Sequence, residues 1–157
     1  MRLFTALWLP DAAVAHLTAA LPGRWPEGVR VVPPAQWHVT LHFHGDEAEP
    51  DACARGLADV GALAAPALRL AGSGVFGATL WVGVDGAVTA LAAAAGADPD
   101  GFRPHVTVAR WRGGRAPAAL PADYRGPEWT AREVVLVASD LTPEGPHYTV
   151  VERAPLR

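Results

Sequence analysis

The chain has 157 residues, half of them hydrophobic, with 13 basic and 16 acidic side chains and a formal charge of −3. That length supports one buried core, and the expectation is a single domain over residues 1–157. The slightly negative balance excludes a protein that holds nucleic acid chiefly by a broad basic surface, but not one that grips a single nucleotide.

Residues 2–9 read as a buried strand, and Pro10-Asp11 opens a helix to about Ala20 with Asp11 as its expected N-cap. Pro22 to Glu27 is a turn, and Val29 to Val32 a short strand stopped by Pro33-Pro34. From Trp37 to Phe43 the residues alternate, with Val39, Leu41 and Phe43 on one face and His38, Thr40 and His42 on the other. Residues 50–64 read as a helix, 68–71 and 79–84 as strands, 87–95 as a helix and 104–109 as a second alternating strand. Arg112 to Pro127, rich in Gly, Pro and Ala, reads as a mobile surface excursion, either a lid or a plain loop. Residues 133–137 and 148–151 close the chain as strands. Paired strands interleaved with a few helices predict an α+β fold.

The lone cysteine, Cys53, permits neither an intramolecular disulfide nor a thiolate cluster and reads as a small buried hydrophobe. The apolar opening, Met1 to Pro10, is broken too soon for a signal segment. No run approaches the ~18 apolar residues of a membrane span, so a cytoplasmic location is expected.

Chemistry concentrates in a repeated tetrad. His38-Val39-Thr40-Leu41 and His105-Val106-Thr107-Val108 both read His, aliphatic, Thr, aliphatic. A strand's period of two sets each His beside its Thr and sends the aliphatics to the core. Brought together, two imidazoles and two hydroxyls suit cleavage of a phosphodiester. One imidazole takes a proton from water, the other protonates the departing oxygen, and the hydroxyls hydrogen-bond the phosphate oxygens. No metal or other cofactor is called for. The bare pattern is weak evidence, since composition alone predicts about one third of a His-x-Thr and His147-Tyr148-Thr149 is a third copy.

The surroundings of the tetrads carry more. Arg2-Leu3-Phe4 with Ala6-Leu7, Val32-Pro33-Pro34 leading to the first tetrad, Phe43 and Gly45 resemble the LigT-like RNA 2′,3′-cyclic phosphodiesterases of the 2H phosphoesterase superfamily. So do Leu80-Trp81-Val82-Gly83-Val84, the stretch from Phe102 to Arg110, and the ending from Ser139 through Tyr148 to Leu156. The resemblance runs nearly end to end. It implies a bilobal 2H phosphoesterase-like fold, two pseudo-symmetric lobes of antiparallel strands with flanking helices around a central cleft. It implies hydrolysis of a terminal 2′,3′-cyclic phosphate to a 2′-phosphate, with His38 as general acid and His105 as general base. Some relatives also join RNA through a 2′,5′ bond, the same chemistry reversed. The implied partners are RNA ends or small nucleotides bearing the cyclic phosphate, with no obligate protein partner and a monomer as default. Positions 42 and 44 are His where the family more often has a basic and an aliphatic residue, which bears on nucleotide preference.

Other residues divide between site and scaffold. Thr40 and Thr107 are expected on the phosphate. Arg110 is a further phosphate candidate, although strict alternation places it opposite His105. His42 and Trp111 are candidate nucleotide contacts, and Trp8, Trp37, Trp81, Phe43 and Phe76 are expected in the core. On an ideal strand His38, Thr40, His42 and His44 share a face, so a zinc hydrolase using His38, His42 and His44 is one alternative. A non-catalytic nucleotide- or RNA-binding module is the other. His147 is expected to be structural and His16 to lie on a helix surface.

Overall fold

A computed structural model describes residues 1–113, 116–117 and 120–157. In chain order the elements are β1 (Leu3–Trp8), α1 (Asp11–Ala20), β2 (Val29–Val31), a 3-10 turn (Pro34–Gln36), β3 (His38–Gly45), α2 (Pro50–Gly61) and β4 (Ala67–Phe76). Then follow β5 (Thr79–Asp85), α3 (Thr89–Ala95), β6 (His105–Trp111), β7 (Arg125–Thr130), β8 (Glu133–Thr142) and β9 (Gly145–Pro155).

The strands form two antiparallel sheets. One has the order β3-β1-β8-β9 and the other β2-β6-β5-β4-β7. The architecture is α+β and bilobal, as the resemblance implied. Each tetrad strand pairs with a neighbour inside its own lobe, β3 with β1 and β6 with β5. The helices that link those pairs cross over: α1 leaves the first sheet and packs against β7 of the second, while α3 leaves the second and packs against β3 of the first. Each lobe therefore covers part of the other, and β3 and β6 come into contact where the sheets meet.

Burial explains the arrangement. Leu3 to Leu7 are all buried because β1 is central and apolar groups cover both of its faces. Towards the helices lies the main core, with Leu3, Leu7, Val39, Leu41, Leu57 and Val60 among its members. On the other face Phe4, Ala6, Val135 and Val137 form a second, smaller cluster, with Trp8, Tyr148 and Val150 at its edge. An apolar wall is thus built on the side that faces the cleft.

Several boundaries differ from expectation. Asp11 is the first helical residue rather than the cap; Pro10 precedes it, with no side-chain cap, and Asp11 instead places its negative charge at the positive end of the helix dipole. The glycines at 72 and 74 do not end β4. They permit an irregular pairing between Leu70 and Ser73, after which the strand continues to Phe76. The 112–127 excursion is only partly loop, because its last residues enter β7, which pairs with β4, and Leu120 and Tyr124 are buried. Residues 114, 115, 118 and 119 of that excursion lie outside the described residues, and with them the lid reading. Among the described residues, no helix is long and apolar enough to cross a membrane.

Candidate active site

Both tetrads start a strand, and both histidines are fixed by the same local bond. His38 Nδ1 lies 2.7 Å from the carbonyl oxygen of Gln36, and His105 Nδ1 lies 2.8 Å from that of Arg103. A carbonyl can only accept, so in each ring Nδ1 carries the hydrogen and donates it. Nε2 is left to exchange protons in both imidazoles.

The strands then bend in the same way. Thr5 and Ala6 of β1 face His42 and Thr40, so Leu41 is an extra residue and forms a β-bulge. Leu80 and Trp81 of β5 face Ala109 and Thr107, so Val108 is extra in β6. In both strands the bulge falls immediately after the Thr, and alternation inverts beyond it. Arg110, opposite Thr79, therefore joins Thr107 and His105 on the cleft face, while Ala109 turns into the core. Strict alternation places Arg110 on the far side; the bulge corrects it. In β3 the equivalent position is Phe43, opposite Phe4 and 43% exposed, which is therefore not a core residue.

The same bulge removes His42 and His44 from the face of His38. His42 packs against Gly96 at the end of α3. His44 Nε2 lies 2.7 Å from Oγ1 of the buried Thr5, and its ring meets His42 edge-on at 4.9 Å between centroids. Burial, with a smaller contribution from His42, lowers the pKa of His44. The expectation that His38, His42 and His44 share a face is corrected, and with it the geometry that a shared zinc ion requires. His42, a candidate nucleotide contact, thus lies on the helix side of β3, opposite Thr5.

Around His38 stands an aromatic cage. Phe4, Tyr148 and Trp8 have ring centroids 4.9, 5.6 and 5.7 Å from the imidazole. Burial in this cage is the main cause of a lowered His38 pKa, with the charges of His105 and Arg110 adding to it. The hydrogen bond to Gln36 opposes the shift. The two tetrads are thus near enough for charge on one to be felt by the other. Burial also raises the pKa of Tyr148.

The second sheet supplies an open wall. A cleft of about 460 Å³ is lined by His105, Thr107, Arg110, Thr79, Trp81 and Phe76. Trp81 crosses the neighbouring strand over Gly74, where any Cβ would run into its indole. Thr40 sits opposite Ala6, on the His38 side of its bulge.

The tryptophan expectations divide. Trp37 is buried in the core as expected. Trp8 and Trp81, expected there too, face the site. Trp111, a candidate for stacking on a nucleotide, follows Arg110 on the opposite face and packs on the core, because the bulge reverses both residues. Phe76, expected in the core, is 81% exposed. Tyr148 is a site residue that the motif reading misses: alternation across His147-Tyr148-Thr149 marks it, but the His-x-Thr pattern points to its neighbours. His147 pairs with Asp140, is exposed and lies on the face away from Tyr148. His16 lies on the surface of α1, within 2.9 Å of the Tyr124 hydroxyl. Cys53 is half-buried, with a thiol pKa raised mainly by burial.

Comparison with known proteins places this geometry in a family. A 35% identical relative, the RNA 2′,3′-cyclic phosphodiesterase of Thermus thermophilus, aligns with all of the chain and 91% of its own length. A crystal structure of a Thermus thermophilus protein superposes with a TM-score of 0.80 at 32% identity, over 100% of this chain and 98% of that one. E. coli LigT, crystallised with NADP+, shares the fold at a TM-score of 0.74 and 24% identity, covering 99% of this chain and 97% of its own. The family model described as the 2′-5′ RNA ligase superfamily matches residues 8–143. With the model spanning most of the chain and a full-length relative above 30% identity, the chain belongs to the 2′-5′ RNA ligase superfamily.

Proposed function

We propose that this chain is an RNA 2′,3′-cyclic phosphodiesterase that opens a terminal 2′,3′-cyclic phosphate to a 2′-phosphate without a metal. One observation carries the reading: two His-x-Thr strands, each with its imidazole set by a backbone carbonyl and each bulged after the Thr, touch where the sheets meet, so that His105 and Arg110 line the cleft of one lobe while their charges are felt by His38 in the other. The 35% identical relative bears the name of this activity.

In the reaction, His105 Nε2 takes a proton from water as its oxygen attacks phosphorus. The bond from phosphorus to the 3′-oxygen breaks, and His38 Nε2–H gives that oxygen its proton. The proton gained at one imidazole balances the one lost at the other. Thr40, Thr107 and Arg110 hold the non-bridging oxygens as charge builds on them, Arg110 through paired donors. A depressed pKa suits His38 for the acid role, since its imidazolium parts with a proton readily once the bound phosphate's charge has helped it acquire one.

Attack by a ribose hydroxyl on the same centre would run the chemistry as 2′,5′ joining, and the superfamily's name keeps that second reading in view. We take the chain to work as one domain over residues 1–157, as a cytoplasmic monomer. The test is a short RNA ending in a 2′,3′-cyclic phosphate, incubated in excess EDTA, with the terminal phosphate of the product identified. Conversion to the 2′-phosphate is expected. A 3′-phosphate overturns the choice of leaving oxygen, and binding without turnover supports a non-catalytic module instead.

A further inference from the structure

Phe76 ends β4 at the tip of the β4–β5 hairpin, and 81% of it is exposed, although it belongs to a chain that buries most of its large apolar side chains. Its position relative to the tetrad follows from the strand register. Across the second sheet, His105 lies opposite Gly83; Thr107 opposite Trp81, which is opposite Gly74; and Arg110 opposite Thr79, which is opposite Phe76. Three rows therefore run outward from the motif strand. The first and second begin with the imidazole and hydroxyl, and the third runs from the guanidinium to the phenyl ring. Phe76 and Arg110 are two strand spacings apart, about 9–10 Å, a span that a ribose and its base can fill. Both line the same cleft.

We infer that Phe76 is the stacking platform for the base of the nucleotide that carries the cyclic phosphate. This rests on the reading of the cleft as a 2′,3′-cyclic phosphate site. With the phosphate between the tetrads and Arg110, the ribose lies along Thr79 and Trp81, and the base reaches the phenyl face. Gly77, at a φ of 57°, lets the hairpin turn tightly enough to keep the ring at the cleft rim. A phenyl face stacks on any base, so the platform adds affinity for a nucleoside without choosing strongly among the four. It also gives an acidic chain a way to hold a nucleotide that does not depend on a broad basic surface.

The experiment compares adenosine 2′,3′-cyclic phosphate with methyl riboside 2′,3′-cyclic phosphate, which has no base. In Phe76→Ala, the ratio of kcat/KM for the first over the second should fall about tenfold, within the range for loss of one base–aromatic stack, and the change should reside in KM. Phe76→Trp should restore the ratio. An unchanged ratio, or one that Trp does not restore, overturns the inference. Should the wild-type chain turn over neither compound, the proposed reaction fails, and the platform is then read by binding. Wild-type protein should hold adenosine 2′-phosphate more tightly than inorganic phosphate, and Phe76→Ala should remove that advantage. Equal affinities in the wild type overturn the inference on their own.

Discussion

His38 is the residue on which the proposed chemistry turns, and its surroundings make its behaviour testable. Phe4, Trp8 and Tyr148 shield part of the imidazole from water, while His105 and Arg110 add repulsion to its protonated form. If His38 is the acid, the kcat/KM profile reports its titration in the free enzyme, whose neutral form is the unproductive one. The descending limb of the kcat/KM profile should then lie below 6.5, the ordinary histidine value. Arg110→Ala should do two things at once. Losing a charged hydrogen-bond donor to phosphate should cut kcat/KM by about 10- to 100-fold. Losing a neighbouring positive charge should move the descending limb to higher pH. A loss of rate with no movement of the limb would separate Arg110 from His38. In contrast, His147→Ala should leave kcat/KM within about twofold of wild type, because His147 is exposed on the opposite face of β9.

At the level of elements, the two bulges decide which side chains reach the cleft. The tetrads themselves are legible in the sequence, since His, Thr and alternating aliphatics mark a strand with one polar and one buried face. The bulges are not. Leu41 and Val108 are apolar, and their neighbours satisfy a straight strand as readily as one with an extra residue. For that reason strict alternation puts Arg110 on the wrong face and misplaces His42, His44, Phe43 and Trp111 with it. The paired strands also hide β7, whose Arg-Gly-Pro opening looks like loop until it pairs with β4. Displaced to the helix side, His44 becomes a stability element. Its folded pKa is lowered, so between that value and 6.5 the unfolded chain binds the proton that the folded chain resists. Stability should therefore fall as pH drops through 6.5, and His38 should contribute in the same sense. His44→Gln should flatten the pH dependence of the unfolding midpoint between about pH 7 and 5. An unaltered slope would show that His44 does not take part.

For the molecule as a whole, the lobes are tied together near the site as well as through the crossed helices. Arg30 of β2, in the second sheet, donates to the carbonyl of Glu144 at 3.0 Å, at the tip of the β8–β9 hairpin of the first sheet. Gln36 accepts from His38 through its backbone carbonyl and donates to the Pro146 carbonyl through its side chain at 2.8 Å. The hairpin that carries Tyr148 is therefore held from the other lobe. Gly145 makes this possible: its φ is 115°, and a Cβ there would occupy the place of the Arg30 guanidinium. Gly145→Ala should lower the melting temperature by roughly 2–8 °C. Combining it with Arg30→Ala should cost less than the sum of the two, since one contact is lost in both. Full additivity would contradict the tie. This connection joins residues more than a hundred positions apart, and no local pattern in the sequence reveals it. The pairing of the two tetrads, in contrast, follows from their likeness to each other and to a known family.

The assignment of acid to His38 and base to His105 is tested most directly by changing the leaving atom. A nucleoside cyclic phosphate with sulfur in place of the bridging 3′-oxygen releases a thiolate, which needs no proton to depart. His38→Ala should be inactive on the oxygen substrate and recover most of its rate on the sulfur one, whereas His105→Ala should remain inactive on both. Recovery by His105→Ala instead would reverse the two roles, and turnover of the oxygen substrate by either variant at the wild-type rate would contradict catalysis by the histidine pair.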